Sequence, residues 1–101
     1  MLATSLLLAA LAAAPLFDVS ITVVDPSGAR IPGATVEVDP GSAQVLSAVT
    51  GPRGEAVVPG VESGEHRFRV TIQGFEPWEK KVRVRGGQGR VEAKLKLARV
   101  L

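Results

Sequence analysis

The sequence predicts a seven-stranded antiparallel β-sandwich with Greek-key connections, and three observations point there. From Asp18 onward, apolar and polar residues alternate with a period of two. Clusters rich in Gly and Pro interrupt the alternation every few residues. No stretch beyond Phe17 repeats with the spacing of a helix.

The first strand is expected over residues 18–23, where Val19, Ile21 and Val23 share one face and Ser20 and Thr22 the other. Side chains of a strand point alternately to its two sides, so this is a half-buried strand. Pro26-Ser27-Gly28 breaks it, and Ile31-Pro32-Gly33 supplies a second turn. Ala34, Val36 and Val38 then alternate with Thr35, Glu37 and Asp39, up to the breaker Pro40-Gly41-Ser42. A third strand is expected over 44–50 and, after the Gly51-Pro52-Arg53-Gly54 turn, a fourth over 55–58. In the fifth, His66, Phe68, Val70 and Ile72 oppose Arg67, Arg69 and Thr71. Trp78, Val82 and Val84 oppose Glu79, Lys81, Arg83 and Arg85 in the sixth. Gly86-Gly87-Gln88-Gly89 turns the chain into the last strand, with Val91, Ala93, Leu95 and Leu97 against Glu92, Lys94 and Lys96. One apolar face per strand is what two packed sheets require.

Length and composition narrow the chemistry. With 101 residues, the chain has room for a single core, because a second domain needs roughly another hundred. The absence of Cys excludes disulfides, thiolate metal sites, cysteine nucleophiles and a lipidated N-terminal cysteine. One His and no Tyr leave few groups for acid–base work, so no catalytic, metal or cofactor site is expected.

The N-terminus has a different texture. Leu6, Leu7, Leu8 and Leu11 form an uncharged apolar block that runs into Ala12, Ala13 and Ala14. This has the shape of a secretory signal peptide over residues 1–14, with its exit after Ala12 and the domain itself over 17–101; a retained N-terminal helix is the alternative reading. The block falls short of the roughly 18–20 apolar residues that span a bilayer, so no stable transmembrane anchor is expected. Export without cysteines suits a secreted, periplasmic or other cell-envelope protein whose fold does not depend on oxidation.

Read together, several turn motifs resemble the carboxypeptidase regulatory-like domain, a small transthyretin-like (prealbumin-like) sandwich. The similarity begins at Val23-Val24-Asp25-Pro26-Ser27-Gly28 and continues through Ile31-Pro32-Gly33-Ala34-Thr35-Val36-Glu37-Val38. It resumes at Thr50-Gly51-Pro52-Arg53-Gly54, Val58-Pro59-Gly60-Val61, Ser63-Gly64-Glu65-His66 and Gly74-Phe75-Glu76-Pro77-Trp78. His66 departs from the aromatic residue that the family commonly has there. The resemblance implies a domain that accompanies metallocarboxypeptidase catalytic domains without being the peptidase. A zinc peptidase needs a His-x-x-Glu pair and a further ligand, which one histidine cannot supply. A transthyretin-like hydroxyisourate hydrolase would likewise need several histidines. The Lys–Asn cross-link of pilin-type sandwiches needs Asn, which the sequence lacks, although composition leaves a Lys–Asp variant open.

Charge is the remaining asymmetry. Residues 1–65 carry Arg30 and Arg53 against seven carboxylates, whereas residues 66–101 carry ten Lys and Arg against three Glu. Arg67, Arg69, Lys81, Arg83, Arg85, Lys94 and Lys96 all fall on outward faces and form a candidate basic docking face. Solvated strand faces that oppose edge pairing are the plainer reading of the same residues. Phe75 is the aromatic with the best prospect of exposure and is the candidate ligand-stacking residue; Trp78 is read as core packing. His66, on the Phe68 face, is read as a buried or rim histidine, and Asp18, Asp25 and Asp39 as turn caps. The expected function is a non-catalytic exported module for binding or structural support at the envelope, with carbohydrate binding as the alternative. Its expected partner is another envelope protein or an anionic or glycan surface, and not nucleic acid.

Overall fold

A computed structural model describes residues 15–86 and 89–99. Among the described residues there are seven strands: β1 (Leu16–Val24), β2 (Thr35–Val38), β3 (Leu46–Val49), β4 (Glu55–Glu62), β5 (Gly64–Thr71), β6 (Trp78–Val84) and β7 (Arg90–Lys94). They form a three-stranded sheet in the order β4-β1-β7 and a four-stranded sheet in the order β3-β2-β5-β6. β3 packs against β4, and β5 returns beside β2, so β2 to β5 trace a Greek key that closes one side of the sandwich. The proposed signal peptide, residues 1–14, lies outside the described residues, as do residues 87 and 88 of the predicted glycine-rich turn.

The predicted faces are the faces that pack. Val19, Ile21 and Val23 of β1, with Ala56, Val58, Ala93 and Leu95, face Val36, Val38, Phe68, Val70 and Val84 of the other sheet. Burying a side chain of this size gains about 1.5–3 kcal/mol over leaving it exposed, so alternation is the main force that sets the architecture.

One pairing departs from the all-antiparallel expectation. β7 runs parallel to β1, from Ser20↔Arg90 to Val24↔Lys94. The Ser20 amide donates to the Gly89 carbonyl and the Leu95 amide to the Val24 carbonyl, so β7 enters beside Ser20 and leaves beside Val24, in the direction of β1. Alternation fixes which face a residue takes but carries no sign of strand direction.

β4 is twice the predicted length. It continues through Pro59 and Gly60, where two residues oppose Asp18 alone between the pairs Phe17↔Val61 and Val19↔Val58. This bulge advances the pattern by one residue, which is why Val61 turns inward and is fully buried. β3 is shorter than predicted, and Val49 on its outer face is 62% exposed. Leu97 leaves the predicted inner face at 63% exposure, because β7 ends at Lys94 and Leu97 only bridges to Phe75.

Two polar devices hold the β1–β2 connection. Asp25 Oδ1 accepts from the Ser27 hydroxyl (2.6 Å), the Ser27 amide (2.8 Å) and the Ala29 amide (3.0 Å). The Ser27 hydroxyl and those amides hold its carboxyl below the usual range, so Asp25 is the turn cap that the sequence suggests. Thr50, the one buried polar residue among those described, donates its hydroxyl to the Ile31 carbonyl and accepts the Ala34 amide, both at 2.8 Å.

Candidate functional site

A polar cluster that joins three strand ends by side-chain contacts lies at the end of the sandwich opposite Thr50, where β2 leaves its sheet and β5 enters it. Pro40 and Gly41 turn the chain after β2, and the Ser42 amide donates to the Asp39 carbonyl at 3.2 Å. Asp39 takes a left-handed backbone (φ 55°), a conformation that Asp tolerates better than most residues. Its amide donates to the Arg67 carbonyl (2.7 Å), and its Oδ1 accepts the Arg67 amide (3.1 Å). The second carboxylate oxygen lies 2.6 Å from Nδ1 of His66. Nε2 of the same ring lies 2.7 Å from the Glu62 carbonyl at the end of β4.

Both partners of this ring can only accept, so both ring nitrogens must donate. The doubly protonated imidazolium is therefore the form that satisfies the geometry. Partial burial works against that charge. The hydrogen bonds to Asp39 and to the Glu62 carbonyl, together with the charges of those two residues, outweigh it and raise the His66 pKa above its ordinary value. With its side chain 15% exposed, His66 is the rim histidine expected from its position.

The ring separates two openings. On one side is a cleft of about 560 Å³ that includes Asp39, Ser42, Gln44, Leu46, Val61 and Glu62 in its lining. On the other is a depression of about 250 Å³ bounded by Glu65, Arg67 and Lys81. Chemically the arrangement is a clamp. A general base needs a free ring nitrogen facing a nucleophile, and here Nε2 is taken by a carbonyl.

The seven candidate basic residues do not share one face. Arg67 and Arg69 on β5 and Lys81 and Arg83 on β6 lie on neighbouring strands of the four-stranded sheet, with Arg85 just past the end of β6. Lys94 and Lys96 belong to the end of β7 and the segment after it, on the other sheet. Carboxylates also interleave with the β5–β6 cations. Glu65 stands opposite Arg83, and both Glu37 and Glu79 stand opposite Arg69, with Arg69 Nε 3.7 Å from Glu79 and Lys81 Nζ 4.0 Å from Glu65. Only Arg67 and Lys81 pair like with like.

Phe75 is half-buried and packs against the core edge. Its loop is stitched to the C-terminal segment by Glu76 N–H to Lys96 O and Ala98 N–H to Gly74 O. Trp78, also half-buried, borders a shallow depression of about 220 Å³ with Glu76, Glu79, Lys94 and Lys96. Sequence reasoning missed the Asp39–His66 contact, whose members lie 27 residues apart. The usable signal was Asp39 before Pro-Gly, a carboxylate held at a strand end.

Fold and site together define a small two-sheet β-sandwich module whose one histidine serves as a strand-end clamp. The chain belongs to the carboxypeptidase regulatory-like domain family, whose sequence model matches residues 18–98. No curated protein matches it. Among solved structures, it resembles the pilus 2b backbone protein of group B streptococcus, with 16% identity and a TM-score of 0.61 over 79% of this chain and 40% of that one. Catechol 1,2-dioxygenase from Pseudomonas arvilla C-1 aligns with 11% identity and a TM-score of 0.67 over 87% of this chain and 54% of that one. A streptococcal ancillary pilin aligns with 18% identity and a TM-score of 0.57 over 84% of this chain and 30% of that one. The chain thus spans about half or less of each of these structures, and what they share with it is the fold.

Proposed function

We propose that this domain is a non-catalytic exported module that binds, or gives structural support to, other components of the cell envelope. The observation that carries this reading is the commitment of both His66 ring nitrogens to Asp39 and the Glu62 carbonyl, which leaves the chain's single histidine no free nitrogen to face a substrate. Membership of a regulatory-like family supports it, and the apolar N-terminal segment supports export. The partner is an envelope protein or an anionic or glycan surface, met by the β5–β6 cations at rim-type contacts that salt screens. A test combines two measurements. Mass spectrometry of the mature protein from an envelope fraction is expected to begin after Ala12, and a chain beginning at Met1 in the cytosol contradicts export. Retention on an anionic matrix is expected to fall with salt and with Lys81→Glu plus Arg83→Glu, and retention indifferent to both contradicts docking through this face.

Carbohydrate binding is the second reading, and one observation favours it. Trp78 borders a depression with four charged side chains, the kind of aromatic-and-polar border on which a sugar can stack. Because Trp78 is the only tryptophan, glycan titration followed by intrinsic fluorescence reads this site directly. A saturable change that is lost in Lys94→Gln plus Lys96→Gln supports the reading, and an unchanged spectrum removes it.

A further inference from the structure

We propose that His66 is a proton-dependent latch: its imidazolium ties the β2–β3 turn to the end of β4, and loss of one proton opens the adjoining cleft. The inference concerns the domain's own conformation and stands apart from what the module binds.

The geometry carries the argument. The ring makes two contacts, 2.6 Å to Asp39 Oδ2 and 2.7 Å to the Glu62 carbonyl, and each needs a proton on the ring nitrogen. A neutral imidazole has one N–H, so deprotonation turns one donor–acceptor contact into two facing lone pairs. Whichever contact is lost, a carboxylate or a carbonyl at the mouth of the cleft loses its partner. Asp39 is also the fixed point of the turn after β2, because its other oxygen holds the Arg67 amide and its own amide completes the ladder to Arg67. In either neutral tautomer Asp39 loses the cation it faces, so the contact that holds the chain from Asp39 to Leu46, one wall of the cleft, is weakened.

The surrounding charges act on the same equilibrium. Asp39 from the turn and Glu62 from β4 favour the imidazolium, and Glu65 on its own strand is a third nearby carboxylate. Arg67 on β5 and Lys81 on β6 border the neighbouring depression and oppose it. Lys81 is engaged with Glu65 at 4.0 Å, and the groups in direct contact with the ring are the Asp39 carboxylate and the Glu62 carbonyl.

Because the chain has one histidine, the experiment needs no assignment by mutagenesis. Long-range nitrogen NMR of the intact domain follows both ring nitrogens from pH 5.5 to 9, while amide exchange is read at Arg67 and at residues 42–46. The expected ring is doubly protonated at the acid end of this range, with a midpoint above the ordinary value of about 6.5 that drops in Asp39→Asn. Protection of the Arg67 amide is expected to fall about tenfold for each pH unit by which the midpoint exceeds about 6.5, and to level off beyond the midpoint. The residues 42–46 amides should follow the same course. A midpoint at or below about 6.5 overturns the proposal, whether or not Asp39→Asn folds. So does a raised midpoint with pH-independent protection, which would make His66 a static ion pair and no latch.

Discussion

The two ends of β2 are held by opposite kinds of polar contact. At its start, Thr50 lies wholly inside and links the Ile31 carbonyl to the Ala34 amide through a neutral hydroxyl that no accessible pH alters. At its finish, Asp39 and His66 make a charged contact at the rim, with the Asp39 side chain 38% exposed. Burial demands a partner that is always present, since an unsatisfied buried group costs about 1–3 kcal/mol. The rim permits a partner that comes and goes. One end of the sandwich is thus fixed and the other conditional, and the cleft lies at the conditional end.

The largest expected effect comes from breaking the fixed end. Gly54 has a left-handed backbone (φ 68°), and a Cβ there would meet Arg30 Cβ at 2.8 Å, the Ile31 nitrogen at 2.9 Å and the Val23 carbonyl at 3.0 Å. Gly54→Ala is expected to cost about 3 kcal/mol in urea unfolding, from strain and overpacking together. Next, Thr50→Val keeps the shape and strands both backbone partners, for a loss of about 2–3 kcal/mol that is equal at pH 6 and pH 8; Thr50→Ser restores much of it.

At the conditional end, His66→Gln is expected to cost about 1 kcal/mol at pH 6 and progressively less as the pH rises. The sign follows from linkage. The folded His66 pKa is raised above the unfolded value of about 6.5, so the contribution is complete below about pH 6.5 and disappears as the pH climbs through the folded value. Smallest of all is Arg30→Ala, which removes an exposed 3.1 Å pair with Glu55 and is expected to cost under about 0.5 kcal/mol, less at high salt.

Much of this architecture was legible in the sequence, for a physical reason. Alternation reports which side of a strand is buried, so Val19, Ile21, Val36, Phe68 and Ala93 could be placed from neighbours two residues away. Turn chemistry is also local, and Asp25-Pro26-Ser27-Gly28 folds largely through its own hydrogen bonds. What stayed hidden depends on distant pieces of chain. The direction of β7 is decided by its docking on Ser20, and the inward turn of Val61 by a register shift against Asp18. The charge asymmetry of the two halves was real in sequence, yet the sheet order dispersed it by setting Glu37, Glu65 and Glu79 among the arginines. The site was half legible: His66 stood out as the single histidine, whereas Asp39 became its partner only when β2 and β5 paired.

The contrast between the two ends is tested most directly by the unfolding free energy of the domain between pH 6 and pH 9, measured beside His66→Gln. The account predicts a wild-type curve that falls with rising pH and meets a flat curve from the variant. A wild-type curve that is flat or rising over that range, or one parallel to the variant's, would contradict it.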